Sequence, residues 1–195
     1  PDGTVRIPLD ESTVIAAAEQ LRMAKVESVA ICLLHSYANP DHELRVAELI
    51  GKILPSSVFI SCSSEILPEI REYERTSTTV VNAFLGPVVR RYLDSLTNRL
   101  QSAGIKRPLH IMQSSGGQMS VDTAVSKPAY LVESGPAAGV IAAARIAKQA
   151  GLSNVITLDM GGTTTKTALV ENGEPAKTNE YEIGAGINLS SKLVK

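Results

Sequence analysis

The chain has 195 residues, of which 44% are hydrophobic and 20% charged, with a formal net charge of -1. This is the composition of a soluble globular protein with room for one large domain or two small ones. The near-neutral charge and a 4% aromatic content without tryptophan exclude a nucleic-acid or anionic-membrane partner gripped by electrostatics or by base stacking. No apolar stretch reaches the length of a membrane span, and the two cysteines, Cys32 and Cys62, read as buried free thiols in a reducing cytoplasm.

In chain order, residues 10 to 24 carry Val14, Ile15, Ala18, Leu21 and Met23 at helical spacing, with Asp10 or Ser12 as the cap. Val26 to Leu34 contains a compact run, Val29 to Leu34, that is apolar on both faces, as suits a buried parallel strand. After His35 to Pro40, a helix is expected from Asp41 to Ile53, with Leu44, Val46, Ala47, Leu49 and Ile50 inward. Val58 to Ser61 follows as a second short strand. This β-α-β alternation predicts a parallel or mixed sheet with helices packed on it.

Pro68 to Leu100 reads as a long helical segment with Glu69, Glu72 and Glu74 at its positive start. Pro87 is expected to split it near Leu85-Gly86. Arg71, Arg75, Arg90 and Arg91 read as a solvated or salt-bridged face. Pro108 to Gln113 is a predicted strand that delivers Ser114-Ser115-Gly116-Gly117 at its carboxyl end, where ligands bind in open α/β sheets. His110 within it is expected to be packed. Ser120 or Asp122 caps a short helix. Glu133-Ser134-Gly135-Pro136 leads into a small-residue helix over Ala137 to Ala150, with Pro136 in the first turn. A strand meander then begins at Val155, with a second turn at Asn172-Gly173. A boundary is placed near Gly135: residues 1–135 form an α/β part, and residues 136–195 form a connecting helix and the start of a second lobe.

The stretch from Val155 to Val170 holds the chemistry. A strand ends on Asp159, Gly161-Gly162 turn the backbone with positive φ, and Thr163, Thr164, Thr165 and Lys166 follow. Exposed amides and hydroxyls at such a turn form a phosphate cradle, and an acid beside it can hold a divalent metal through water. It is not a Walker A loop, because a strand rather than a helix follows the glycines. The plain alternative is a β-hairpin with a Gly-Gly turn.

Leu33 to Pro40, Glu72 to Ala83, Met112 to Gly117, Glu133 to Val140 and Asp159 to Thr165 form an ordered series. Together they resemble the hydantoinase A/5-oxoprolinase family, which includes N-methylhydantoinase A and acetone carboxylase subunits. The resemblance covers nearly the whole chain. It implies an actin-like (ribonuclease H-like) ATPase of two α/β lobes, with mixed sheets and flanking helices. ATP with Mg2+ would lie between a phosphate hairpin from each lobe. Asp159 would then act as catalytic and metal-binding residue, and Gly161, Gly162, Thr163, Thr164, Thr165 and Lys166 would hold the nucleotide. Ser115, Gly116, Gly117, Glu133, Ser134 and Gly135 would line the cleft. The implied activity is ATP-driven activation of the amide carbonyl in a hydantoin or 5-oxoproline ring, or, in the carboxylase branch, ketone carboxylation. A hydantoinase B-type subunit or domain is the implied partner. The chain is expected to be a fragment, with the first hairpin N-terminal to Pro1, and to be inactive alone.

One departure stands out: Lys166 takes the place of the aspartate that usually closes the family's hairpin, and is read as neutralising phosphate charge. Two other enzyme classes fit less well. A serine amidase using Ser114 or Ser115 lacks a matching lysine motif and a Gly-x-Ser-x-Gly elbow. A metal site on His35, Asp41, His42 and Glu43 lacks the spacing that sets two ligands on one helix face. A non-catalytic assembly module is the remaining alternative.

Overall fold

A computed structural model of the chain describes residues 3–162, 165–184 and 187–194. Helix α1, Glu11–Met23, starts where Asp10 turns extended and its carboxylate accepts the Ser12 amide at 3.0 Å; this satisfies one of the amides that a helix start leaves open. Strand β1 (Ser28–Ile31), helix α2 (Asp41–Ile53) and strand β2 (Phe59–Cys62) follow. The two strands pair in parallel from Ser28 opposite Phe59 to Ile31 opposite Cys62, as the alternation predicts. Ala18, Ile31, Val46, Ile50, Leu54 and Cys62 close one core over this unit.

The first strand is shorter than its apolar run. It stops at Ile31, because the Leu33 amide turns away to the Glu43 carboxylate at 2.8 Å, and Leu34 stands exposed. The inner face of α2 is also rotated from expectation. Leu44 is 43% exposed, while Glu43 is fully buried. Glu43, Val46 and Ile50 share one helical face; the polar anchor, not the leucine, points inward.

Helix α3 (Ser63–Ile66) precedes the long helix α4 (Glu72–Ser102). Pro87 does not split α4 as expected; the helix runs through it. A proline clashes with the Cβ of the residue before it, and Gly86 has none. The arginines divide. Arg71 and Arg91 make surface pairs with Glu74 and Glu27 at 3.7 and 3.6 Å. Arg75 instead is buried, correcting the reading of a solvated face. It donates to the carbonyls of Glu69 and Leu33 at 2.7 and 3.0 Å and lies over the Tyr37 ring.

Strands β3 (His110–Met112) and β4 (Gln118–Ser120) form an antiparallel hairpin. Ser114 to Gly117 is therefore its turn, not the carboxyl end of an open parallel sheet. His110 is exposed rather than packed. Ser120 caps helix α5, Val121–Ser126, by accepting the Thr123 amide at 3.2 Å. A 3-10 turn over Pro128–Leu131 leads to helix α6, Ser134–Gln149. Asn82 ties these pieces together: its amide nitrogen donates to Ser61 Oγ and the Ser126 carbonyl, and its oxygen accepts the Ala129 amide.

The meander from Val155 is present. Strands β5 (Val155–Met160), β6 (Thr165–Glu171) and β7 (Glu174–Pro175) form one antiparallel sheet. The turn at Asn172-Gly173 has φ of 51° and 78°, the doubly left-handed form that this dipeptide favours. Ala176 separates β7 from the next strand. Beyond it, β8 (Lys177–Gly184) pairs with β9 (Ile187–Val194). Strand β9 runs back to α4 and the β3–β4 turn, where the Ser190 amide donates to Thr78 Oγ1 and the Val194 amide to the Ser114 carbonyl, each at 3.0 Å. Among the described residues, no helix is long and apolar enough to cross a membrane.

Candidate functional site

The alternation of side chains along β5 and β6 sorts the hairpin into two faces. Val155 opposes Val170, Thr157 opposes Ala168, and Asp159 opposes Lys166; these six face α6. Helix α6 meets them with Val140 and Ala144, which pack on Ala168 and Val170. The small side chains bring helix and sheet close. Ile156, Leu158 and Met160 lie on the other face and are 65–76% exposed.

At the turn end the same face becomes polar. Asp159 and Lys166 are the last described cross-strand pair but one, before Met160 opposite Thr165. Gly161 and Gly162 follow Asp159 and are exposed. Thr163 and Thr164 lie outside the described residues. Gly162 does not take the expected left-handed φ; among the described residues no atom lies within 4 Å of where its Cβ would stand. The glycine there serves access rather than handedness. Thr165 is exposed at the start of β6.

The first turns of α6 meet the hairpin at two points. Asp159 Oδ2 lies 3.8 Å from the Cβ position of Gly139, so the absent side chain leaves room for the carboxylate beside the helix. Glu133, just before α6, has φ 63° and ψ 16°, a left-handed conformation uncommon outside glycine and worth about 1 kcal/mol or more of strain. Its side chain makes no capping bond to the helix. It turns to the hairpin instead, accepting a hydrogen bond and ion pair from Lys166 Nζ at one oxygen. The other accepts the Tyr181 hydroxyl at 3.4 Å. A carboxylate at this position also suits the positive start of α6.

Glu133, Asp159, Lys166 and Tyr181 line one cavity with Gly139 and Ala143, about 890 Å³ in volume. That lies within the range of small-molecule and cofactor sites. Asp159 has no side-chain hydrogen bond or ion pair among the described residues. A lone carboxylate facing a cavity fits Mg2+, which takes one or two protein carboxylates and completes its shell with phosphate oxygens and water. Among the described residues no three His, Cys, Asp or Glu side chains are grouped to cage a metal on their own.

The structure thus gathers Asp159, Gly161, Gly162, Thr165, Lys166 and Glu133. It does not bring Ser115, Gly116 and Gly117 to this cavity. Their turn packs elsewhere: Gly116 has φ +82°, and Ile141 Cδ1 lies 2.8 Å from its Cβ position. Ser114 is buried, and the half-buried Ser115 donates to Gln113 Oε1 at 3.3 Å. Ser134 and Gly135 are the first two residues of α6. Sequence reasoning missed the Glu133–Lys166–Tyr181 link. The three residues belong to separate elements, and no local pattern joins them.

A family-wide sequence profile for hydantoinase/oxoprolinase matches residues 75–195, and one for the hydantoinase/oxoprolinase N-terminal region matches residues 1–54. An uncharacterised protein of Methanocaldococcus jannaschii is 44% identical over 194 residues, covering 100% of this chain and 28% of that protein. The caprolactamase subunit alpha of Pseudomonas jessenii is 39% identical over 172 residues, covering 88% of this chain and 25% of that subunit. The crystal structure of the ATP-dependent caprolactamase from the same organism superposes with a TM-score of 0.85 at 34% identity, over 100% of this chain and 28% of that one. A nucleotide-free structure of acetone carboxylase, solved for the mechanism of ATP-dependent acetone carboxylation, superposes at 0.88 with 32% identity, over 100% of this chain and 27% of that one. The chain spans about a quarter of the length of these relatives. With a matching profile over most of its length and the same mixed α/β fold as these ATP-dependent enzymes, the chain belongs to the hydantoinase/oxoprolinase family.

Proposed function

We propose that this chain is part of an ATP-dependent enzyme that opens a cyclic amide, and that residues 159–165 hold the triphosphate of the nucleotide. The observation that carries the reading is the Asp159 carboxylate, unpaired among the described residues, facing the α6 cavity just before the exposed Gly161 and Gly162. Backbone amides at such a turn converge on an anion. Asp159 would hold Mg2+ directly or through water, with the nucleotide's own oxygens as further ligands. ATP supplies the driving force: an unstrained amide is a poor electrophile, and phosphorylating its oxygen makes it a far better one. The protein's share is positioning and charge stabilisation on the transferring group. In this proposal residues 1–135 belong to one actin-like lobe and residues 136–195 begin the second. A partner subunit completes the enzyme, as the relative named subunit alpha suggests, and a cytoplasmic setting fits its free thiols.

The similarity to acetone carboxylase favours a second reading, in which ATP activates a ketone carboxylation on the same scaffold. Fold does not choose between them; the substrate pocket does. The test is a substrate panel on the intact polypeptide with its partner subunit. Hydantoin, 5-oxoproline, caprolactam, and acetone with bicarbonate are each assayed with and without ATP. ATP-dependent ring opening supports the first reading, and ATP-dependent carboxylate formation from the ketone the second. Calorimetric titration of Mg·ATP into Asp159→Ala checks the site, since unchanged affinity and turnover would remove Asp159 from it.

A further inference from the structure

Among the described residues, Lys166 has two carboxylates within its compass and takes one. Asp159 stands directly opposite it in the β5–β6 ladder, at the separation where cross-strand side chains ordinarily touch. Opposite charges so placed attract and pair by default. Lys166 instead reaches off the sheet to Glu133, 33 residues earlier in the chain. Glu133 is fitted for this. Its left-handed backbone turns the side chain away from the helix it precedes, and Tyr181 of β8 holds its other oxygen. Three elements converge to keep one carboxylate against Lys166. Meanwhile Asp159 faces the cavity beside Gly139 with no partner among the described residues.

We infer that Glu133 is a positioning residue whose task is to hold Lys166 away from Asp159, so that the aspartate stays open to a metal-bound phosphate. Without Glu133, Lys166 would fold back onto its cross-strand neighbour and close the site with an internal salt bridge. An entering cation would then have to displace an ammonium group. In this inference Lys166 is not the phosphate's own counter-charge. It is a residue at odds with the site that Glu133 keeps parked. The idea explains why Lys166 has a dedicated partner: a cation in that place needs an anion of its own.

This inference rests on the proposed nucleotide reading and separates from it experimentally. Mg·ATP is titrated calorimetrically into the intact wild-type polypeptide and its variants. No binding to wild type would overturn the nucleotide reading itself. Given wild-type binding, Glu133→Gln should weaken it about fivefold, the equivalent of about 1 kcal/mol for the freed Lys166–Asp159 pair. Adding Lys166→Met to Glu133→Gln should restore affinity to within about twofold of wild type, because the competing cation is gone. In a Lys166→Met background, Glu133→Gln should cost no further affinity. A Glu133 that merely supports the fold would not be rescued by removing a second side chain. Wild-type affinity in Glu133→Gln, no rescue in the double variant, or a further loss from Glu133→Gln in the Lys166→Met background each overturns the inference. If thermal melting shows that Glu133→Gln is unfolded, Glu133→Asp takes its place. It retains the charge one methylene short, and it should weaken binding in part and be rescued by the same Lys166→Met change.

Discussion

The ring of Phe59 occupies the space that a β-carbon on Gly86 would need, at the point where β2 packs under the middle of α4. Phe59 is only 3% exposed, and the Arg90 guanidinium carbon lies 4.9 Å from its ring centre, so the ring has nowhere to retreat. In an exposed helix, alanine for glycine gains about 1 kcal/mol. Here overpacking costs about 1–3 kcal/mol and outweighs that gain. Gly86→Ala is expected to unfold at lower denaturant than wild type, and Gly86→Ala with Phe59→Leu to recover part of the loss. A more stable Gly86→Ala would show that the ring moves freely.

Glu43 is expected to make the fold acid-sensitive. Burial works to raise its pKa, but hydrogen bonds from Ser63, the Leu33 amide and the Ser64 amide outweigh that, and its carboxyl titrates below its ordinary 4.5. The Ser63 hydroxyl and the two amides lie at 2.6, 2.8 and 2.8 Å. A lowered folded-state value means that the unfolded chain binds the proton more readily. The stabilisation is complete above pH 4.5 and is lost as the pH falls through the lowered value. Glu43→Gln turns an NH2 toward a donor and should cost about 1–3 kcal/mol near neutral pH. It should also flatten the acid limb of a denaturation-versus-pH profile; an unchanged limb would assign acid sensitivity to other carboxylates.

The elements that sequence reasoning located well were those with a local cause. Helix α2 falls where its amphipathic run and Pro40 place it, and the Asn172-Gly173 turn takes the φ values its residues favour. The misplacements arose where a distant partner decided. Arg75 sits on a charged-looking segment, yet carbonyls from two earlier loops draw it inside. Leu44 lost its inward place to Glu43, whose ligands come from β1's exit and α3. In the proposed site, Asp159 and its glycines stand next to one another in the sequence, so their proximity is legible there. The Glu133–Lys166 pair was not, since charge alone does not say which of several acids a lysine will meet.

Cys62 should be inert in the folded protein. Burial first, then the charges of Glu65 and Glu43 and the neighbouring Cys32, push its thiol up to about 12. At pH 8 only about one molecule in ten thousand would carry the reactive thiolate. Because the folded-state value is raised from 9.0, this group's contribution is fully present below pH 9 and is lost as the pH rises toward 12. Iodoacetamide at pH 8 is expected to label Cys62 only after denaturant is added, as peptide mass mapping would show. Rapid native labelling would mean that β2 opens readily.

Gly139 offers a graded test of how α6 meets the hairpin. An alanine Cβ there would lie 3.8 Å from Asp159 Oδ2, an ordinary van der Waals contact, and would favour the helix by about 1 kcal/mol. Gly139→Ala should therefore fold at least as well as wild type and bind Mg·ATP nearly unchanged. Valine adds two methyl groups on the cavity side, and neither can occupy the carboxylate's place without moving it. Its β-branch costs the helix little more than about 0.5 kcal/mol, so stability should change little while Mg·ATP affinity falls about tenfold or more, as a misplaced ligand group typically costs. Calorimetry and thermal melting on the same samples separate the two effects. If Gly139→Val lost stability and affinity together, the glycine would belong to the packing of the helix. If it lost neither, Asp159 would have room to work from another position, and the cavity beside α6 would not be where the metal-bound phosphate sits.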